Sequence, residues 1–119
     1  MEETKTWTGG CHCGQVRYEV ASNLDDLVSC NCSICQKRGW ILGFVPESRF
    51  RLLAGSDALT DYQFNKKAIH HLFCKTCGVS SFSRGEAPGG GRMVAINVRC
   101  LDGVDAAGLK PRAFDGRSL

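Results

Sequence analysis

No apolar run in this 119-residue sequence extends beyond a few positions, so nothing in it can span a bilayer as a helix, which needs about 20 residues. The opening stretch, Met1-Glu2-Glu3-Thr4-Lys5, is polar and has no apolar core of the kind a secretory leader carries. A soluble, cytoplasmic protein is the expectation, with no membrane partner. Charge of one sign is also scarce. Fifteen basic side chains stand against 12 acidic ones, a net of +3 spread along the chain, and no nucleic-acid partner is expected from so weak a balance. There is no internal repeat, and no low-complexity tract beyond Gly89-Gly90-Gly91. Nothing marks a domain boundary, so residues 1–119 read as a single domain.

What the sequence does have is cysteine: eight of them. In a secreted chain an even count suggests disulfides. Here the spacings are Cys-x-Cys and Cys-x-x-Cys, and such close pairs suit two bonds to one metal better than cross-links between distant segments. Zinc is therefore expected. A domain this size buries roughly two thirds of the surface its unfolded chain exposes, a modest core to which a metal adds usefully.

The strand signals are short runs separated by turn residues. From Gln15 to Val20 the pattern alternates, with Val16, Tyr18 and Val20 on one face. Further strands are predicted over Trp40 to Val45, Phe50 to Leu53, Leu59 to Phe64, Ala68 to Phe73, Val79 to Ser83 and Met93 to Val98. Asn65-Lys66-Lys67 is a plausible hairpin connection, and Ser33 to Arg38 reads as a short helical turn. From Leu101 onward, Gly, Asp, Lys and Pro111 suggest a surface-wrapping tail over about 101–119. The class is all-β with high turn content.

The cysteines fall into three groups: Cys11 and Cys13; Cys30, Cys32 and Cys35; and Cys74 and Cys77. The last, Cys74-Lys75-Thr76-Cys77-Gly78, resembles a zinc knuckle whose glycine admits the positive φ that turns amides toward the thiolates. A structural zinc takes four protein ligands, whereas a catalytic zinc keeps three and an exchangeable position. Two pairs and a triplet partition accordingly. Cys11, Cys13, Cys74 and Cys77 form the closed structural site, and Cys30, Cys32 and Cys35 the open, catalytic and more labile one, giving two zinc ions per chain. With both filled the formal charge falls to about zero. Cys100 is left over, either a small buried hydrophobe or a fourth ligand that would close the triplet site. His12 sits between two ligands, and His70 and His71 alternate on a strand; hydrogen-bonded structural histidines are the plainer reading of all three.

Four stretches together resemble the glutathione-dependent formaldehyde-activating enzyme family, which includes centromere protein V. They are Gly9-Gly10-Cys11-His12-Cys13-Gly14-Gln15-Val16-Arg17-Tyr18-Glu19, Cys30-Asn31-Cys32-Ser33-Ile34-Cys35-Gln36-Lys37-Arg38-Gly39, Phe73-Cys74-Lys75-Thr76-Cys77-Gly78 and Asn97-Val98-Arg99-Cys100-Leu101. The resemblance implies a β-tent fold of small antiparallel sheets stapled by a four-cysteine zinc, and the same partition of cysteines. It implies a carbon–sulfur lyase that joins formaldehyde to glutathione as S-(hydroxymethyl)glutathione, with Lys37 and Arg38 as candidates to hold glutathione carboxylates. Many relatives carry a histidine-proline pair after Cys77-Gly78; here the run is Val79-Ser80-Ser81-Phe82. The alternative from a different class is a non-catalytic zinc module that binds a protein partner. A third reading is a redox or metal-handling protein, which would need ready disulfide formation within the triplet.

Overall fold

The computed structural model describes residues 4–64, 69–86 and 91–118. The expected 65–67 connection lies outside those residues, as does Ala68. The described chain is mostly β, as its short alternating runs require. A three-stranded sheet comprises β1 (Lys5–Gly10), β2 (Arg17–Ser22) and β5 (Phe50–Ala54), in the order β1-β2-β5. The remaining strands are β3 (Val28–Cys30), β4 (Leu42–Pro46), β6 (Leu59–Tyr62), β7 (Ile69–Cys74), β8 (Phe82–Glu86), β9 (Arg92–Asn97) and β10 (Arg112–Phe114). They form a seven-stranded sheet in the order β10-β3-β4-β9-β8-β7-β6. Pairing is antiparallel throughout except between β10 and β3, which run parallel. The one α-helix among the described residues, α1 (Ser33–Arg38), follows β3 and ends at Gly39 in the left-handed conformation.

The sheets meet through the alternation seen on β2. Val16, Tyr18 and Val20 are buried and pack with Phe50 of the small sheet against Val45, Phe82, Val94 and Ile96 of the large one. Tyr18, Phe50 and Phe82 form an aromatic trio with centroids 4.7–5.7 Å apart, within the range where rings attract beyond simple burial. The Tyr18 hydroxyl donates to the carbonyl of Ser81 at 3.1 Å, so the polar tip of this buried ring is satisfied across the sheet interface.

Because side chains alternate along a strand, the opposite face of the large sheet carries a different set. Register aligns Phe44 on β4, Ala95 on β9, Ser83 on β8 and His71 on β7 as one row. A second cluster of Val28, Trp40 and Leu42 packs there with Cys30, Cys35 and Ala95. This face holds the site described below.

Three strands escape the sequence pattern. β1 is largely exposed and shows little apolar alternation, and β3 and β10 are only three residues each. β10 lies in the expected tail, and it adds an edge strand beside β3. The strand predicted over Val79 to Ser83 begins instead at Phe82. The residues before it belong to the turn that the Cys74 amide closes on the Val79 carbonyl at 3.0 Å. Removing the Tyr18 hydroxyl takes one of two donors from the Ser81 carbonyl, which keeps the Asn97 amide at 3.0 Å, with little change of shape. Tyr18→Phe should therefore fold normally and lose about 1 kcal/mol in urea denaturation.

Candidate metal centres and an adjoining cavity

The first cluster is assembled where β1, at the edge of the small sheet, and β7, between β8 and β6 of the large one, run out into turns. Cys11 and Cys13 come directly after β1, and Cys74 ends β7 with Cys77 in the turn beyond it. Sequence positions 61 apart meet here: the sulfurs of Cys13 and Cys74 are 3.7 Å apart, and those of Cys11 and Cys13 3.6 Å. All four sulfurs lie within 4.8 Å of one another. Tetrahedral zinc with bonds of about 2.3 Å puts its sulfurs about 3.8 Å apart, so spacing and donor chemistry both fit a metal. A disulfide would bring two sulfurs to about 2.05 Å, and all eight cysteines are free thiols.

Backbone amides arrange this cluster. Gly78, at φ 78°, lets the turn donate its own N–H to the Cys74 carbonyl at 2.8 Å. N–H groups of Val79 and Cys13 pull the Cys77 thiol down to about 6. Cys13 goes the other way: although the Gln15 amide favours its thiolate, burial and the three neighbouring thiols push it up to about 11. Four thiolates this close repel one another, and only a cation lets all of them ionise together.

The second cluster is local in sequence. Cys30 ends β3, Cys32 caps α1, and Cys35 lies within it; their sulfurs are also within 4.8 Å of one another. The Cys32 amide approaches the Cys30 sulfur at 3.4 Å. Against partial burial, backbone amides of Cys35 and Ile34 and the neighbouring thiols draw the Cys32 thiol down, whereas burial and the thiols beside it raise Cys35. Three half-buried sulfurs also suit a soft or borderline metal. Cys100 joins neither cluster; burial pushes its thiol up to about 11, in keeping with a small packed side chain.

The C-terminal segment closes over this triplet. Asn31 donates to the Phe114 carbonyl through its amide and to Asp115 through its side chain, and accepts from the Arg117 amide at 2.9 Å. Gly116 passes so near that a Cβ there would stand 2.6 Å from the Cys30 sulfur. The segment read from sequence as a surface tail is thus part of the wall.

Beside the triplet lies a cavity of about 300 Å³ on the outer face of the large sheet. Arg38 reaches into its lining from α1, whereas Lys37, the other residue singled out beside it, is exposed and does not line it. Arg38 stacks over Trp40, its guanidinium carbon 3.6 Å from the ring centroid, and bonds the Nδ1 of His71 at 3.1 Å and the hydroxyls of Ser80 and Ser83. Burial lowers Arg38 to about 10, opposed by the Cys35 and Cys32 thiolates. Among the described residues no carboxylate pairs with it. Ser80, in the run Val79-Ser80-Ser81-Phe82, is one of its anchors. His12 is exposed, and His70 pairs with Asp61 at 2.6 Å. His71 lines the cavity, a role sequence reasoning missed because alternation on β7 does not say which face is occupied.

These features define a mostly β protein with two separate thiol clusters able to hold metal. The family described as glutathione-dependent formaldehyde-activating enzyme matches residues 6–115, and the chain belongs to it. A crystal structure of a Rhodobacter sphaeroides protein is similar, with a TM-score of 0.81 and 33% identity over 90% of this chain and 99% of that one. No helix among the described residues is long and apolar enough to cross a membrane.

The two clusters should respond differently to substitution. Cys74→Ser should yield insoluble or unfolded protein, because its cluster joins both sheets. Cys35→Ser and Gly116→Ala should retain β-rich circular dichroism and lose one metal equivalent on elemental analysis. A pH effect follows from His71, which burial, and then the Arg38 charge, hold below the ordinary 6.5. The unfolded chain then binds more protons there, so this stability is complete above 6.5 and lost as pH falls through the lowered folded value. His71→Gln keeps an acceptor for Arg38 and should flatten the loss, measured as the change in urea midpoint between about pH 7.5 and about pH 5.5.

Proposed function

We propose that this chain is a zinc-dependent carbon–sulfur lyase-type enzyme acting on a thiol adduct, with glutathione and formaldehyde combining to S-(hydroxymethyl)glutathione as the reaction its family suggests. The four-cysteine cluster is the structural zinc site in this reading, and Cys30, Cys32 and Cys35 hold the catalytic, more labile zinc. The observation that carries it is a three-thiol cluster opening onto a cavity that contains a half-buried guanidinium without a carboxylate partner among the described residues. A structural site has no use for an approach route or for such a charge.

When bound at the triplet, zinc supplies positive charge that holds an incoming thiol in its thiolate form at neutral pH. The chain's own residues do the rest. The thiolate sulfur forms a bond to the carbonyl carbon, the carbonyl π pair moves to oxygen, and oxygen takes the proton the thiol lost. Arg38, held by Trp40, His71 and Ser80, is placed to donate to that oxygen as its charge grows. His71 has its Nδ1 facing the guanidinium as acceptor, which leaves its proton on Nε2. Lys37, on the exposed side of α1, is the candidate to meet a glutathione carboxylate outside the cavity.

Calorimetry in buffers of different ionisation enthalpy tests this reading. Glutathione should bind metal-loaded protein with release of about one proton. A mild chelator should remove one metal equivalent first and abolish that binding, leaving the β-rich dichroism intact. Failure of any thiol to bind fully loaded protein would sink the enzyme reading in favour of the non-catalytic, partner-binding module.

A further inference from the structure

The cavity is much larger and more apolar than a formaldehyde adduct requires. A carbon bearing only hydrogens and a hydroxyl fills little more than one water's share, about 30 Å³, whereas the cavity holds about 300 Å³. Its walls are Val28, Trp40, Leu42, Phe44, Ile69 and Phe114, with the cysteine triplet at one side. Phe64 adds to them and stacks on His71 with ring centroids 5.1 Å apart. Apolar surface continues beyond, since an adjoining groove of about 340 Å³ shares Phe44, Ile69 and Ala95. Phe44 and Ile69 are 52% and 47% exposed, a costly display of large side chains unless something covers them.

Polar groups in the lining are few and gathered in one place. Arg38, His71 and Ser83 form one connected group. Arg112 also reaches the cavity, but Asp26 holds its Nε at 2.9 Å. The peptide arms of glutathione carry two carboxylates, an ammonium and two amides, and such groups do not enter an apolar space without partners. They fit outside, in solvent. The space beside the sulfur position is left for the other half of the adduct.

We propose that this cavity receives the carbonyl-derived half of the thiol adduct, and that this half carries an apolar group of aromatic or branched-alkyl size. The proposal rests on the carbon–sulfur reading above and names its second substrate as an apolar aldehyde. The balance is that of hemithioacetal formation: thiol and aldehyde combine, one carbon–sulfur bond forms, the carbonyl π bond breaks, the thiol proton ends on oxygen, and nothing is oxidised or reduced. The hydroxyl so formed faces Arg38, and the apolar group lies along the row of Phe44, Ala95 and Ser83.

The test uses metal-loaded protein with S-methylglutathione and S-benzylglutathione, which share their polar arms and differ in the group on sulfur. Binding is read by calorimetry and by tryptophan emission; of the two tryptophans Trp40 lines the cavity and Trp7 lies on β1. S-benzylglutathione should bind at least about tenfold tighter. Phe44→Ser and Ile69→Ser, both at exposed positions, should shrink that preference without changing metal content or circular dichroism. Equal affinities, or a preference untouched in both variants, would overturn the proposal. Turnover separates it from the reading it rests on. Adduct formation from formaldehyde but not from phenylacetaldehyde, with equal affinities, overturns the apolar substrate and leaves the lyase. A clear benzyl preference with no carbon–sulfur bond formed from any aldehyde overturns the lyase and supports the apolar ligand class.

Discussion

The meeting of Cys11 and Cys13 with Cys74 and Cys77 is the constraint on which the rest of the structure depends. Closing a loop of 61 residues costs about 3–4 kcal/mol of chain entropy, against a whole-domain stability of about 5–15 kcal/mol. A structural zinc, worth about 10–16 kcal/mol in small peptides, exceeds that cost several-fold. The contact also sits where the two sheets most need a connection, at the end of β1 in one and of β7 in the other. With those ends joined, the aromatic trio of Tyr18, Phe50 and Phe82 has a fixed frame in which to pack, and the Tyr18 hydroxyl finds its carbonyl.

The triplet differs in its physical setting more than in its ligands. Its three cysteines span only six positions, so their proximity demands little of the fold. What the fold contributes is the surroundings: a short helix that aims amides at Cys32, a C-terminal segment pressed against Cys30, and an apolar cavity on the remaining side. Arg38 links these parts. Three thiolates around a divalent zinc would carry a net charge of about −1, a counter-charge for a half-buried guanidinium that pairs with no carboxylate among the described residues. Were zinc held there, charge balance at this site would be shared between the protein and the metal.

The two faces of the large sheet divide the labour through simple alternation. Val45, Val94, Phe82 and Ile96 turn toward the small sheet and are buried there. Their sequence neighbours Phe44, Ala95 and Ser83 turn the other way and line the cavity. A slip of one residue in any of these strands would exchange core for cavity, which is why register matters to function here as much as to stability.

The sequence by itself determined the β-rich class, the inward face of Val16, Tyr18 and Val20, the helical turn at Ser33–Arg38 and the grouping of cysteines into pairs and a triplet. Those features are local: ligand spacing, residue alternation and glycine placement act within a few positions, and they read directly from a single chain. Strands β3 and β10 were not legible, because three residues carry no period and their pairing is decided by a partner over 80 positions away. The same holds for the cavity. His71, Ser83, Phe44 and Trp40 come from separate strands and loops, and only the register between those strands places them around one space. The role of Arg38 divides between the two levels. Its position three residues after Cys35 marked it from the sequence, but only the tertiary structure turned it toward His71 and the cavity and left Lys37 in solvent, since the last turn of a six-residue helix has one side against the sheet and one side in water.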